Sequence, residues 1–234
     1  MGLVVIPALI PDIPKIYDIY FKAFNNEPMA ALMVKILFPQ GITEDFKKAH
    51  AASTLEYWHH AKHQYTCKCV DTDTGEIIGM ALGDGYFHER SEEERKDYGV
   101  TWLEGSEKER AEKILTPLHE VRERLFGNKK YIYVHVVAVD PKNQGRKAGA
   151  ALVQWGIDLG EQSGVPVYFE SSPTTIGLYE KMGWHRLKET VVHKADVLGT
   201  EEDITVPLVI RFPSYAGNIT YEDWKAQGFP VFKK

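Results

Sequence analysis

The chain lacks several features that mark specialised classes of protein. It has two cysteines in 234 residues, a formal net charge of −5, and no apolar run that approaches the ~18–20 residues of a membrane-spanning helix. Disulfide-stabilised secreted domains need more cysteines, and surfaces that bind nucleic acid need clustered lysine and arginine. We therefore expect a protein that binds neither nucleic acid nor a membrane.

The start of the chain, MGLVVIPALIPDIPK, lacks the basic segment that precedes the apolar part of a signal peptide. Cys67 and Cys69 are one residue apart in a strand-like segment. Their side chains should share one face and run parallel, which suits a disulfide poorly. We expect two reduced thiols and a cytoplasmic location.

The composition is that of an ordinary globular protein that buries a core. Apolar residues make up 44% of the chain and aromatic residues 12%, with no internal repeat and no low-complexity linker. The length fits one large domain or two small ones, and we expect a single domain that spans residues 1–234. Predicted strands alternate with helices, and hairpins occur in the first half, so we expect a mixed α/β sheet.

Helical spacing of apolar residues predicts three helices before the first hairpin. They cover about residues 11–24, 29–38 and 43–62, and Thr43 is a suitable N-cap for the third. The remaining predicted elements are strands at 3–6, 65–70, 76–82, 131–139, 165–169, 184–193 and 204–212, and helices at 146–162 and 175–181.

Residues 86–128 are highly charged and are expected to form a surface insertion. Ser106 and Glu109 have the spacing of a capping box, which predicts a helix that reaches about Phe126. Gly127 should end it.

The most informative stretch is YIYVHVVAVDPKNQGRKAGA, residues 131–150. An apolar, β-branched run ends at Asp140-Pro141, a turn rich in Gly, Asn and Lys follows, and then a helix begins. The first N–H groups of a helix have no partner within the helix and carry partial positive charge. A strand, a glycine-containing turn and a helix start together predict a phosphate-binding site.

Two segments of the chain resemble motifs of one known protein family. The segment AVDPKNQGRKAGAALVQWGID resembles the acetyl-CoA motif of GCN5-related N-acetyltransferases (GNAT), Gln/Arg-x-x-Gly-x-Gly/Ala at the start of a helix. Gln144 takes the first place of the motif, Gly149 the last, and Lys147 stands where the middle glycine is expected. Downstream, VPVYFESSPTTIGLYEKMGWHRL resembles the next strand, the short helix and the LYxxxGF ending of that family. The pattern is most similar to puromycin-type acetyltransferases and their fungal relatives, over residues 65–193.

The resemblance implies a single GNAT-like α/β domain. Its mixed, mostly antiparallel central sheet would contain a splayed parallel pair, residues 131–139 and 165–169, flanked by helices. On this basis residues 1–64 supply acceptor-binding helices and residues 129–193 form the acetyl-CoA-binding core. The resemblance does not explain the 86–128 insertion or the tail at 213–234.

The resemblance also implies which residues bind acetyl-CoA, the acyl donor. The pantetheine arm would bond to main-chain groups of the first strand of the pair, as an added strand does. The pyrophosphate would lie at the helix start. Ser172 stands where the family often has an asparagine that contacts the cofactor. The implied contact residues are Val137, Ala138, Val139, Gln144, Gly145, Arg146, Lys147, Ala148, Gly149, Ala150 and Ser172.

The implied reaction is direct attack of a neutral primary amine on the thioester, through a tetrahedral intermediate. Tyr179 matches the family position that often protonates the departing thiolate; its alternative role is packing on a short helix. His135 is a base or relay, or else a core histidine with a satisfied hydrogen bond. Parity places it on the same side as Tyr133 and Val137. Glu170 is a base or an acceptor anchor, or else a structural cap.

Several alternatives remain open. The acceptor is expected to be a small-molecule amine, but a protein or peptide terminus is a second possibility. A third is a non-catalytic acyl-CoA-binding module, which Lys147 and Ser172 suggest. His59 and His63 are one helical turn apart, but H-E-x-x-H is absent, so we favour a polar helix face over a metal site. The sequence does not specify the oligomeric state.

Overall fold

The computed structural model describes residues 2–234, and its secondary structure follows the expected alternation of strands and helices. The strands are β1 (Leu3–Pro7), β2 (Gln64–Asp71), β3 (Ile77–Tyr86), β4 (Tyr131–Val139), β5 (Val167–Glu170), β6 (His185–His193) and β7 (Ile204–Arg211). The helices are α1 (Ile13–Asn25), α2 (Pro28–Leu37), α3 (Glu44–His60), α4 (Gly105–Phe126), α5 (Ala148–Ser163), α6 (Ile176–Lys181), α7 (Ala195–Leu198) and α8 (Tyr221–Ala226).

The strands form one mixed sheet in the order β1-β2-β3-β4-β5-β7-β6. β4 and β5 are parallel, with Ile132 opposite Val167 and Tyr133 opposite Tyr168. β1–β2, β2–β3, β5–β7 and β6–β7 are antiparallel. The predicted α/β fold, a mixed sheet with one parallel pair at 131–139 and 165–169, is therefore confirmed.

The chain divides into two compact units, each of which we describe by itself. The first unit combines the described part of Met1–Gly85 with Val134–Asp158, and the second combines Tyr86–Tyr133 with Leu159–Lys234. The expected assignment of residues 1–234 to one domain stays a prediction.

Two apolar clusters stabilise the first unit. The α5 cluster contains residues of β2, β3 and α5, and the α1 cluster contains residues of α1 and β3 together with Ala138 of β4. Cys67 and Cys69 both lie in the α5 cluster as buried free thiols, so their predicted shared face is confirmed.

Strict alternation of side chains along β4 breaks between Val134 and Val137. The Val134 side chain lies over Gly156 of α5, and Val137 and Val139 pack on the α5 cluster. Residues 134 and 137 cannot share a face in a regular strand, so β4 contains a local irregularity of the kind that a β-bulge produces. The expectation that His135 shares the face of Val137 is therefore wrong.

The helices of the first unit begin and end largely as the sequence predicts. Thr43 is the N-cap of α3, and its Oγ1 accepts a hydrogen bond from the Phe46 N–H at 3.1 Å. α3 ends at His60, so His63 lies beyond the helix and the assumed one-turn pairing with His59 is wrong.

The charged segment of the second unit contains a long helix, as expected, but with a different start. α4 begins at Gly105, with Glu104 at the N-cap and no side-chain cap. The predicted capping box is wrong, because Ser106 already lies inside the helix. Gly127 ends α4 with a φ of 52°, a conformation in which glycine has no steric cost.

The tail that resemblance left unexplained belongs to the core of the second unit. Trp224 of α8 is 1% exposed, and its Nε1 donates to the Pro230 carbonyl at 2.9 Å. The Tyr221 hydroxyl donates to the Leu125 carbonyl of α4 at 2.6 Å. Phe126 stacks on Tyr131 at 4.0 Å between ring centroids. Part of residues 213–234 therefore packs on the end of α4.

Candidate active site

The turn between β4 and α5 is fixed at its first residue. The Asp140 N–H donates to the Ile78 carbonyl of β3 at 2.9 Å. The carbonyl of Asp140 accepts from the Asn143 N–H at 2.7 Å. The Asp140 Oδ1 accepts from the Lys142 N–H at 2.9 Å. These bonds make Pro141–Asn143 a single 3-10 turn that leads away from the strand.

Two residues of the next segment have left-handed backbone conformations. Gly145 has a φ of 78° and Lys147 a φ of 68°, so Lys147 adopts the kind of conformation that glycine tolerates best. Its side chain makes this conformation unfavourable by about 1–2 kcal/mol. α5 therefore begins at Ala148, two residues after the predicted start at Arg146, because a left-handed residue cannot continue a right-handed helix.

The start of α5 presents unpaired amide groups. The Ala151 N–H donates to the Lys147 carbonyl at 3.0 Å, so the N–H groups of Ala148, Gly149 and Ala150 precede the first helical hydrogen bond. α5 has 16 residues, and its positive dipole end coincides with these amides. A Cβ built on Gly149 would lie 3.7 Å from Val139 Cγ2, which is ordinary contact and permits the Gly/Ala alternation of the motif.

The Arg146 side chain is turned toward the protein. Its Nη2 lies 2.5 Å from the Asp71 Oδ2 at the end of β2, and its Nη1 donates to the Asn143 Oδ1 at 2.7 Å. The hydrogen bond from Arg146 holds the pKa of Asp71 below its ordinary value. In this geometry the Arg146 guanidinium links the loop to β2.

His135 has a buried carboxylate partner that the sequence did not suggest. Its Nε2 lies 2.6 Å from the Asp84 Oδ2 of β3, and Asp84 is 4% exposed. The His63 Nε2 lies 3.8 Å from the other carboxylate oxygen of Asp84. Met80 and Leu82 pack in or against the α1 cluster, so alternation places Asp84 on that side of β3, away from α5.

The buried carboxylate of Asp84 also affects the pKa of Tyr57 on α3. Partial desolvation raises the pKa of Tyr57, although the residue is 47% exposed, and the negative charge of Asp84 raises it further. The carboxylate therefore affects side chains from two other elements, His135 on β4 and Tyr57 on α3. This arrangement keeps a buried carboxylate beside the imidazole.

In the second unit, Glu170 is the centre of a buried polar cluster. Its Oε1 accepts from the Arg122 Nη1 at 3.1 Å and from the Tyr168 hydroxyl at 3.1 Å. The same Arg122 Nη1 donates to the Tyr133 hydroxyl at 3.0 Å, and its guanidinium lies 4.3 Å from the centre of the Tyr133 ring. The side chains of Arg122 and Glu170 are 17% and 10% exposed.

The tyrosines of this cluster remain neutral at physiological pH. Burial raises the pKa of Tyr133 and of Tyr168 well above the ordinary phenol value, and the negative charge of Glu170 adds to the effect. Both hydroxyls therefore act as hydrogen-bond donors or acceptors and carry no charge. Glu170 is the negative member of the cluster and Arg122 its counter-ion.

Tyr179 lies on α6, where its ring packs among other aromatic side chains. Its ring packs against Phe169 at 4.5 Å and near Trp184 at 6.2 Å, between ring centroids. Burial raises the pKa of Tyr179, so its hydroxyl stays protonated at neutral pH. The turn before α6 is built by Ser172, whose Oγ lies 2.7 Å from the Thr174 Oγ1 and accepts from the Thr174 N–H at 3.3 Å.

Three residues of these arrangements were missing from the sequence predictions. Asp84 had a weak signal, a carboxylate between two glycines at the end of an apolar strand, whereas Asp71 looked like part of a hairpin turn and Arg122 like part of a charged helix face.

No group of three or more His, Cys, Asp or Glu residues suited to a metal occurs within residues 2–234. In the same range no helix combines the length and apolarity needed to span a membrane.

The sequence profile of the acetyltransferase (GNAT) family matches residues 31–184. The chain belongs to the GNAT family. It is accordingly an acyltransferase of the GNAT type, and both characteristic motifs lie inside the matched range.

Relatives with sequence or structural similarity are acyltransferases as well. A probable acyltransferase SID5 from Ajellomyces capsulatus is 34% identical over 128 residues, which cover 55% of this chain and 88% of that protein. A mosquito arylalkylamine N-acetyltransferase like 5b superposes with a TM-score of 0.63 at 16% identity, covering 90% of this chain and 100% of the other. The polyamine N-acetyltransferase of Drosophila melanogaster, which forms N-acetylagmatine, gives a TM-score of 0.62 at 15% identity with the same coverage of 90% and 100%. At such identities the two structures establish the shared GNAT fold alone.

Proposed function

We propose that this GNAT protein transfers an acetyl group from acetyl-CoA to the primary amine of a small molecule. The observation that carries the proposal is the turn before α5, where Lys147 adopts a left-handed conformation at the place of the family's middle glycine. Backbone strain of this kind persists where a function or the surrounding structure requires it. Three unpaired amides follow at the helix start, and they suit a pyrophosphate.

The residues of the first unit fit the donor that the family uses. The N–H groups of residues 144–150 would hold the pyrophosphate of acetyl-CoA, and the Lys147 ammonium would add positive charge. Main-chain groups of Val137–Val139 would hold the pantetheine arm as a neighbouring strand does. The donor supplies the reactive thioester, and the Val137 N–H is the proposed hydrogen-bond donor to the oxyanion that develops there.

His135 is the proposed base. An amine with a pKa near ~10 is mostly protonated at neutral pH, so attack requires that a proton be removed. The hydrogen bond from Nε2 to Asp84 fixes the imidazole orientation and stabilises the imidazolium that forms when Nδ1 accepts the proton. The carboxylate supports proton transfer in this arrangement without itself becoming protonated.

Glu170 is proposed as an anchor, not as the base. The carboxylate accepts hydrogen bonds from Arg122 and Tyr168 through one oxygen, which fixes its position. A buried, fixed carboxylate at the end of β5 suits the recognition of a cationic acceptor group. Of the three roles expected from the sequence, a base, an acceptor anchor or a structural cap, this assignment keeps the anchor.

The acceptor is proposed to be a small amine. Two GNAT proteins with the same fold are named for arylalkylamine and polyamine acceptors, which share a primary amine on a short carbon chain. A peptide acceptor and a non-catalytic acyl-CoA-binding module are the competing proposals. A cytoplasmic location, where acetyl-CoA and free amines are both present, completes the proposal.

Thiol release from acetyl-CoA in the presence of a panel of amines and peptides tests this function. We expect turnover with arylalkylamines or polyamines and little with peptides. Calorimetry with coenzyme A gives an independent readout, and we expect saturable binding. Tight binding of coenzyme A without turnover on any amine or peptide would favour the non-catalytic module.

Replacement of Tyr179 by phenylalanine should lower kcat several-fold and leave the affinity for coenzyme A nearly unchanged. The substitution keeps the ring that packs on Phe169 and removes only the hydroxyl proton. Steady-state kinetics and calorimetry on the same variant measure the two quantities. An unchanged kcat would assign Tyr179 to packing alone.

A further inference from the structure

The second part of the turn between β4 and α5, residues 145–147, has a backbone conformation that its own residues do not favour. Arg146 is flanked by two left-handed residues, Gly145 and Lys147, with φ values of 78° and 68°. A lysine does not favour this conformation, and an unfavourable backbone persists only when contacts from elsewhere determine it. The contacts that determine this conformation must therefore come from residues outside the segment.

Asp71, 75 positions earlier in the chain, supplies the main contact. Its Oδ2 lies 2.5 Å from the Arg146 Nη2, and its Oδ1 accepts from the Asp73 N–H at 3.0 Å. Asp71 is 4% exposed. Its own backbone is fixed on both sides, because its N–H donates to the Glu76 carbonyl at 2.9 Å and its carbonyl accepts from the Gly75 N–H at 2.7 Å.

Arg146 links this fixed carboxylate to both parts of the turn. Its Nη1 donates to the Asn143 Oδ1 at 2.7 Å, so one guanidinium connects the 3-10 turn, the left-handed segment and β2. An arginine can hold two acceptors at once because its donors form a planar fork. The guanidinium therefore sets the position of the backbone between residues 143 and 147, and with it the direction of the amides at the start of α5.

We propose that Asp71 is a positioning residue for coenzyme binding, which holds Arg146 and thereby preorganises the amide groups of residues 144–150 for a pyrophosphate. This inference rests on the proposed function, because it assigns the amides to acetyl-CoA. Preorganisation raises affinity by removing the cost of ordering the loop when the ligand binds.

The test compares Asp71→Asn, Arg146→Gln and the double variant with the wild-type protein. We expect each single variant to raise the Kd for coenzyme A and the KM for acetyl-CoA roughly tenfold, with kcat at saturating acetyl-CoA changed less than about twofold. The double variant should be no worse than either single variant, because both remove the same contact. Asp73→Asn, in the same hairpin turn, is the matched control and should bind coenzyme A as the wild type does.

Hydrogen exchange in the absence of coenzyme gives a readout that is independent of activity. Asp71→Asn should accelerate amide exchange in residues 143–150 and leave exchange in β2 unchanged. Arg146→Lys keeps the positive charge but presents one compact donor group, so it should reproduce both effects if Asp71→Asn does not fold.

Two results would overturn the proposal: a Kd for coenzyme A within twofold of wild type in both single variants, or unchanged exchange in residues 143–150. An additive loss of affinity in the double variant would also contradict it, because Arg146 would then contact the ligand directly. Wild-type protein that does not bind coenzyme A would refute the proposed function, and the exchange measurement would still decide whether Asp71 positions the turn.

Discussion

His135→Gln is expected to lower kcat/KM for the acceptor roughly 100-fold, at the lower end of the range for loss of a general base. Glutamine has a similar size and hydrogen-bonding capacity but cannot accept a proton at neutral pH. Coenzyme A affinity should stay within about twofold, because His135 precedes the main-chain groups assigned to the pantetheine arm. Steady-state kinetics at varied acceptor concentration, together with calorimetry, separate the two effects.

Asp84→Asn probes the same proton transfer without changing the imidazole. The amide has no negative charge to stabilise the imidazolium, and it can present an N–H to the imidazole, which favours the wrong tautomer. We expect a loss of kcat/KM of roughly tenfold or more in the same steady-state measurement.

His59→Gln is the matched control for both variants. His59 is an exposed histidine on α3, and its replacement should leave kcat/KM unchanged. Full activity of His135→Gln would remove this residue from the mechanism and leave it as a histidine that serves the packing around Asp84.

Arg122→Leu has the largest expected effect on stability, a loss of about 3–5 kcal/mol in the free energy of unfolding. The Arg122 and Glu170 side chains are 17% and 10% exposed, so removal of the arginine leaves a buried carboxylate without its counter-ion. Tyr168 still donates to Glu170, but a neutral hydroxyl cannot replace the lost charge. Chemical denaturation at neutral pH, followed by circular dichroism, measures the loss.

Two further variants separate the charge effect from loss of the side chain. Arg122→Leu combined with Glu170→Leu should be much more stable than Arg122→Leu alone, since no buried charge remains. Arg124→Leu, on the same helix, removes an exposed pair with Glu189 at 2.9 Å and should cost less than about 1 kcal/mol. Equal losses for Arg122→Leu and Arg124→Leu would show that the buried cluster contributes no more than a surface pair.

The sequence predicted the features that depend on neighbouring residues. The apolar run 131–139, the turn after Asp140, the Thr43 cap and the shared face of Cys67 and Cys69 all follow from local periodicity and local hydrogen bonding. The same local information placed the start of α5 two residues early, because nothing near Lys147 indicates that a lysine adopts a left-handed conformation.

The resemblance to a family identified the candidate site but not its supporting residues. Asp84 meets His135 across 51 positions, Arg122 meets Glu170 across 48, and Tyr221 meets the Leu125 carbonyl across 96. In the sequence, Asp84 was the end of an apolar strand, Arg122 was part of a charged helix face and Tyr221 lay in an unplaced tail. Their chemical roles depend on neighbours that are distant in the sequence.

The sequence by itself determined that this chain is an α/β protein with the GNAT motif at the start of α5. Hydrophobic periodicity and turn chemistry act over a few residues, so both can be recognised in a single amino-acid sequence. Only the tertiary structure decided which carboxylate faces His135, which arginine neutralises Glu170, and which side chain holds the strained turn at Lys147. Those pairings depend on strand order and on one irregularity in β4, and a shift of one residue in a strand moves a side chain to the opposite face.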